Sequence, residues 1–319
     1  MKILVIMNAN NYQPTSINNK MKKSKKYLPY ILLAFGLLCI GWSAVFVKLA
    51  DVSGLVSGFY RMFIGAISIM PLWLLRHKSW KIDAGSFRIA VLCGVLFACD
   101  IALWNTSIML SKAAIATLLA NMAPVWVGLG SYFILKEKAG RNFWIGCIIS
   151  IIGVSLITGI TSISASMFSW GAILAIMASF FYAAYLLITP RVRGKVDTIS
   201  FTAVSMIASS VVLLIFCMVS ESKLTGYSTK SWMALAGLGF VSQFLGWIAI
   251  NWALAYINST TASVTLLSQS IVTAIIAIPV LGETLSFIEI IGAIVVLTGI
   301  FLVIKKQKAS KTEILPEYE

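Results

Sequence analysis

The chain has 319 residues, of which 59% are hydrophobic and only 11% charged, and its mean hydropathy is +0.93. A soluble domain carries about 25% charged residues, so the sequence is written for lipid rather than water. The formal net charge of +14 is spread in short Lys/Arg clusters between apolar runs, the pattern of basic cytoplasmic loops and not of a basic face for nucleic acid.

Taken in chain order, residues 1–29 read as a disordered basic tail. Its run Ile3-Leu4-Val5-Ile6 after Lys2 is too short for a signal peptide. Met21, just ahead of Lys22-Lys23-Ser24-Lys25-Lys26, is a candidate alternative start. Ten apolar stretches follow at residues 30–50, 55–75, 89–110, 113–135, 143–160, 170–189, 199–219, 232–256, 262–281 and 287–304. A hydrocarbon core of roughly 30 Å takes about 20 helical residues to cross, so each is expected to be a transmembrane helix. Residues 305–319 form a second cytoplasmic tail. Barrel strands would alternate in polarity over about ten residues, and these runs do not.

With the N-terminus in the cytoplasm, every Lys and Arg falls inside except Lys48, Arg61, Lys112, Lys223 and Lys230. That bias predicts both termini in the cytoplasm of a multi-pass inner-membrane protein.

The chain repeats itself. Residues 111–122 (SKAAIATLLANM) lie over 259–270 (STTASVTLLSQS) at an offset of 148, and Trp104 falls on Trp252. At an offset of 146, Glu137 falls on Glu283, Gly146 on Gly292 and Gly153 on Gly299. The expected architecture is all-α, with ten helices as two five-helix repeats over 30–160 and 170–304. An odd number of helices per repeat inverts the second copy, and the charges agree. The link with Lys136, Lys138 and Arg141 is basic, whereas its counterpart around Glu283 and Glu289 carries no Lys or Arg. Inverted repeats are a hallmark of secondary transporters that alternate access around a midplane site.

Several segments carry a likeness to a known family: Thr117-Leu118-Leu119-Ala120-Asn121-Met122-Ala123-Pro124 with Glu137, Leu266-Leu267-Ser268-Gln269 with Leu281-Gly282-Glu283, and Gly41-Trp42-Ser43. In these the chain resembles EamA-type members of the drug/metabolite transporter superfamily, over nearly its whole length. The resemblance implies a ten-helix fold that exports small metabolites such as amino acids, by exchange or with protons as a coupling ion. Where that family commonly has Gln-Pro, this chain has Gln269-Ser270, which removes the proline that would kink the helix.

Candidate functional residues are the polar groups placed inside spans. Asp100 lies 11 residues into the third span, about 16 Å deep at 1.5 Å per residue. A carboxylate there costs about 2.5 to 3.5 kcal/mol on insertion scales, so it is a candidate coupling site or partner for a substrate amine. Its alternative is an ion pair with Arg61, itself a candidate cavity residue or a side chain snorkelling to the interface. Cys93, Phe97, Trp104 and Ser107 share the helix face of Asp100. Asn121 and Gln269 bring one amide each to equivalent positions of the two repeats, and Gln243, Trp247 and Asn251 recur at i, i+4 and i+8. Substrate contact and plain interhelical hydrogen bonding, worth about 0.6 kcal/mol each, are both open for these amides.

Other function classes lose ground on composition. The five cysteines all lie in apolar runs without metal-ligand spacing, and the single histidine, His77, sits in a basic loop. No catalytic constellation, metal site or cofactor is expected. No Gly-x-x-x-x-Gly-Lys-Ser/Thr loop is present to bind ATP, so transport would draw on a gradient or exchange. A multidrug exporter for cationic amphiphiles is the alternative reading, and a membrane-embedded enzyme a distant one. The expected partners are a small-molecule substrate, protons and the lipid bilayer.

Overall fold

An apolar run in lipid must satisfy its backbone hydrogen bonds within itself, and only the helix does so segment by segment. The computed structural model describes residues 19–75, 82–110, 119–135, 139–157, 170–193, 196–281 and 286–312, and among these it is helical without strands. In order the helices are α1 (Asn19–Gly41), α2 (Ser43–Ala50), α3 (Gly54–Leu74), α4 (Ala84–Leu110), α5 (Ala123–Gly130), α6 (Arg141–Ile157) and α7 (Trp170–Arg193). They continue with α8 (Thr198–Val219), α9 (Thr229–Gly237), α10 (Trp247–Ala253), α11 (Ser259–Leu266), α12 (Gln269–Leu281) and α13 (Phe287–Thr312). Ser53, Asp197 and Ser228 cap α3, α8 and α9 by accepting from backbone N–H groups of the first turn. Asp51, left-handed at φ 50°, closes α2 and turns the chain into α3.

Several helices are segments of one span. The described residues contain eight spans long and apolar enough to cross a membrane, among them Tyr27–Ala50, Thr229–Ala253 and Ser259–Val280, and Arg141–Ile157 is a shorter apolar helix of 17 residues. The expected fourth span falls partly outside the described residues. Real helices overrun the expected ends: α1 begins at Asn19, α4 at Ala84, and α13 runs on to Thr312. The hydropathy of a stretch marks the hydrocarbon thickness, whereas the helix itself continues into the interface.

Large apolar side chains project outward at helical spacing, as Ile31, Phe35 and Leu38 do on α1, Val211, Ile215 and Met218 on α8, and Ile290, Ile294, Leu297 and Phe301 on α13. Such stripes on many long apolar helices form the kind of apolar belt that a lipid bilayer covers. The chain is a multi-pass membrane protein.

Close packing is set by glycines. Gly94 of α4 lets the backbone approach Ser205 of α8, and Gly65 of α3 admits the side chain of Gln243. Gly146 and Gly153 of α6 meet Gly299 and Gly292 of α13, respectively. As residue numbers rise on one helix they fall on the other, so α6 and α13 run antiparallel.

Two of the spans are broken within two residues of positions that the repeat aligns. One break, at Asn121-Met122, precedes α5, and the other, at Leu267-Ser268, separates α11 from α12. Without the family's proline the second break still forms. Thr265 Oγ1 donates to Thr261 O at 2.8 Å and Ser268 Oγ to Thr265 O at 2.7 Å, and such back-bonding bends helices. A π-helical segment, Leu238–Gly246, joins α9 to α10 and turns Gln243 inward.

Candidate functional site

The charged centre of the bundle is built from α3, α4, α7 and the π-helical segment. Arg61 sits on α3 where Gly65 faces Gln243 and Gly239 faces Ile64 and the carbonyl of Arg61. This approach holds Gln243 so that its Oε1 accepts from Arg61 Nε at 2.7 Å. Arg61 therefore turns inward to a side chain that is 2% exposed instead of reaching outward to the interface. Asp100 on α4 and Tyr182 on α7 lie within electrostatic reach of the same guanidinium. Arg61, Asp100 and Tyr182 are all half-buried. A guanidinium, a carboxyl group and a phenol thus gather within the membrane-spanning part, partly accessible, where a polar ligand could exchange for their mutual contacts.

A second, drier layer adjoins the first. Tyr185 OH donates to Asn251 Oδ1 at 2.6 Å, and Asn251 Nδ2 donates to Thr202 Oγ1 at 3.2 Å, which ties α7, α10 and α8 together. Trp247 packs edge-on against Phe97 and Tyr185, with ring centroids 4.5 and 5.5 Å apart, and its buried Nε1 has no hydrogen-bond partner among the described residues. Between the layers lies a small cavity with room for about one water molecule, whose polar lining is Tyr185, Thr202, Ser205, Ser209, Gln243 and Asn251. Gln243 belongs to both layers.

The remaining predicted residues are placed less centrally. Trp104 is half-buried one turn beyond Asp100, and Ser107 is buried on the same helix. Asn121 is half-buried at the break before α5. Gln269 begins α12 with its Nε2 3.5 Å from Ile40 O of α1, beside Thr273, whose hydroxyl donates to Gly41 O at 2.8 Å. Glu137 and Glu283 lie outside the described residues.

Sequence reasoning missed Tyr182, Tyr185 and the hydroxyl face of α8. Thr202, Ser205 and Ser209 stand at i, i+3 and i+7, a visible polar stripe in an apolar span. The two tyrosines give no such signal, because a tyrosine in a membrane helix commonly marks the interface.

Comparison with known proteins gives a family and a fold likeness. The sequence profile of the EamA-like transporter family matches twice, over residues 28–159 and 169–305. An uncharacterized transporter of Bacillus subtilis, YdfC, is 23% identical, with 90% of this chain and 95% of that protein aligned. An uncharacterized transporter of Archaeoglobus fulgidus is 25% identical over 87% of this chain and 98% of its own length. One solved crystal structure has the same fold, with a TM-score of 0.73 at 14% identity, covering 86% of this chain and 96% of that one.

Proposed function

This chain belongs to the EamA-like transporter family, and on that premise we propose that it is a secondary exporter of small metabolites such as amino acids, working by alternating access across the cytoplasmic membrane. The observation that carries the reading is the gathering of Arg61, Asp100, Tyr182 and Gln243 within the bundle, beside spans interrupted at nearly matching places in the two halves. Interrupted helices in corresponding positions are the usual mark of a transporter's binding region.

The profile's double match and the crossing of α6 and α13 support two five-helix repeats of opposite orientation. The repeat aligns Gly146 with Gly292 and Gly153 with Gly299, while the contacts pair Gly146 with Gly299 and Gly153 with Gly292. An axis relating two inverted copies produces that exchange. In this reading both termini are cytoplasmic, and Asp100 is the coupling residue.

In the same reading substrate is held between Arg61 and Asp100, with Trp104, Ser107, Asn121, Asn251 and Gln269 along its path and Trp247 as an apolar wall. Efflux of a labelled metabolite panel from proteoliposomes, with and without an imposed pH gradient, tests the proposal. Protein-dependent efflux of at least one small polar metabolite is expected. Efflux confined to lipophilic cations would favour the multidrug alternative, and no movement of any solute would count against both.

A further inference from the structure

The packing of the bundle is lopsided along its axis. Where α7 runs into α8, every residue from Thr198 to Met206 is buried, and so is every residue from Gly246 to Leu254. A transmembrane helix in contact with lipid leaves one face exposed, so these two stretches are enclosed by protein on all sides. Beyond the charged centre, toward the other end, no such run occurs: Leu103 and Trp104 of α4 and Ala44, Phe46 and Val47 of α2 are half-buried, alternating with the buried Asn105, Ser107, Ser43 and Val45. On one side of the centre the bundle is therefore closed by two fully enclosed stretches.

The closed side begins one turn from Asp100, at Phe97, which is 4% exposed. Phe97 packs tilted against Tyr185 at 5.0 Å and edge-on against Trp247 at 4.5 Å, and beside the rings runs the hydrogen-bond chain Tyr185–Asn251–Thr202. Tyr185, Asn251 and Thr202 are each 2% exposed or less. They come from three different helices, so only side-chain hydrogen bonds and ring contacts hold the layer together between them.

We propose that Tyr185, Asn251 and Thr202, roofed by Phe97 and Trp247, are the seal that closes one end of the substrate path, and that transport opens it by breaking those two hydrogen bonds. The proposal rests on the transporter reading and deepens it by naming the gate. Its chemistry suits reversible closure. All the polar groups of the chain are neutral, so opening costs no separation of buried charges, and water replaces each hydrogen bond as it breaks. The unpartnered Trp247 Nε1 gains a partner on wetting, which favours opening further. Gln243, bonded to Arg61 and sharing the one-water cavity with the chain, carries movement at the charged centre to the seal.

Two native thiols make the test direct. Cys93 lies one turn from Phe97 toward the closed end, next to Tyr185 and Thr189, and Cys147 lies in the separate packing of α6 against α13. Both are 0% exposed. Single-cysteine proteins retaining either thiol are labelled with a small, charged, water-soluble thiol reagent in proteoliposomes. In Tyr185→Phe and in Asn251→Leu the labelling rate of Cys93 is expected to rise roughly fivefold to tenfold, the shift one buried hydrogen bond supports, with Cys147 unchanged. An unchanged Cys93 rate in both variants overturns the seal. Equal acceleration of Cys93 and Cys147 overturns it too, because the bonds then hold the fold and not a gate. A selective rise at Cys93 without efflux of any solute would leave the gate in place and put the exporter reading at fault.

Discussion

Gly146 and Gly299 meet backbone to backbone: a methyl group on either would lie 2.5 Å from the other's carbonyl oxygen. Neither carbonyl can yield without displacing its helix. Gly146→Ala and Gly299→Ala should each destabilise the protein by about 1 to 3 kcal/mol, the usual cost of overpacking. Gly140, with open space where its side chain would be, is the control and should tolerate alanine. Thermal unfolding in detergent, followed by loss of the monodisperse fraction, measures the difference.

How much of this was legible beforehand follows from the same physics. Glycines 146, 153, 292 and 299 could be aligned from sequence because a repeat preserves spacing, yet which glycine meets which depends on the crossing of two helices that only packing defines. Asp100 and Gln243 were visible because polarity is conspicuous in an apolar span. Arg61 was harder: its depth allowed snorkelling, and only the close approach at Gly65 and Gly239 brings Gln243 to its Nε. The break at Leu267-Ser268 was hidden for want of a proline, since hydroxyl back-bonding from Thr265 and Ser268 replaces it.

The distribution of basic residues predicts topology. Reporter fusions at both termini and within residues 191–195 should all report the cytoplasm, because that arrangement keeps all but five of the Lys and Arg residues inside. A reporter at Arg193 that faces the opposite compartment would reverse the second half and end the inverted-repeat reading.

Asn121 and Gln269 stand at the two helix breaks, both half-buried. Asn121→Ala and Gln269→Ala are expected to lower efflux at least about tenfold while leaving the yield of folded protein within about twofold, as for groups whose partner is the substrate. Interhelical bonding alone is worth about 0.6 kcal/mol, too little to abolish transport. Loss of folded protein in step with loss of efflux would make these amides part of the scaffold.

The sharpest division of roles concerns Asp100 and Arg61, which feel each other's charge within the bundle. Asp100→Asn keeps the volume of the side chain and removes its charge, so a coupling residue predicts normal insertion with gradient-driven efflux lost. A purely structural pair predicts something else. Each single change, Asp100→Asn or Arg61→Gln, would then leave a buried charge uncompensated at a cost of about 3 to 5 kcal/mol, and the double change would restore much of the stability. Gln243 complicates the arginine side, because its Oε1 already satisfies Arg61 Nε. Asp100→Asn is therefore expected to be milder in stability than Arg61→Gln, which orphans both Asp100 and the Gln243 carbonyl. Thermal stability and efflux measured on the two single variants and the double variant separate the cases. Stability recovering in the double variant while efflux stays absent assigns coupling to Asp100. Recovery of full gradient-driven efflux in the double variant would remove Asp100 from the mechanism and leave the pair as scaffold.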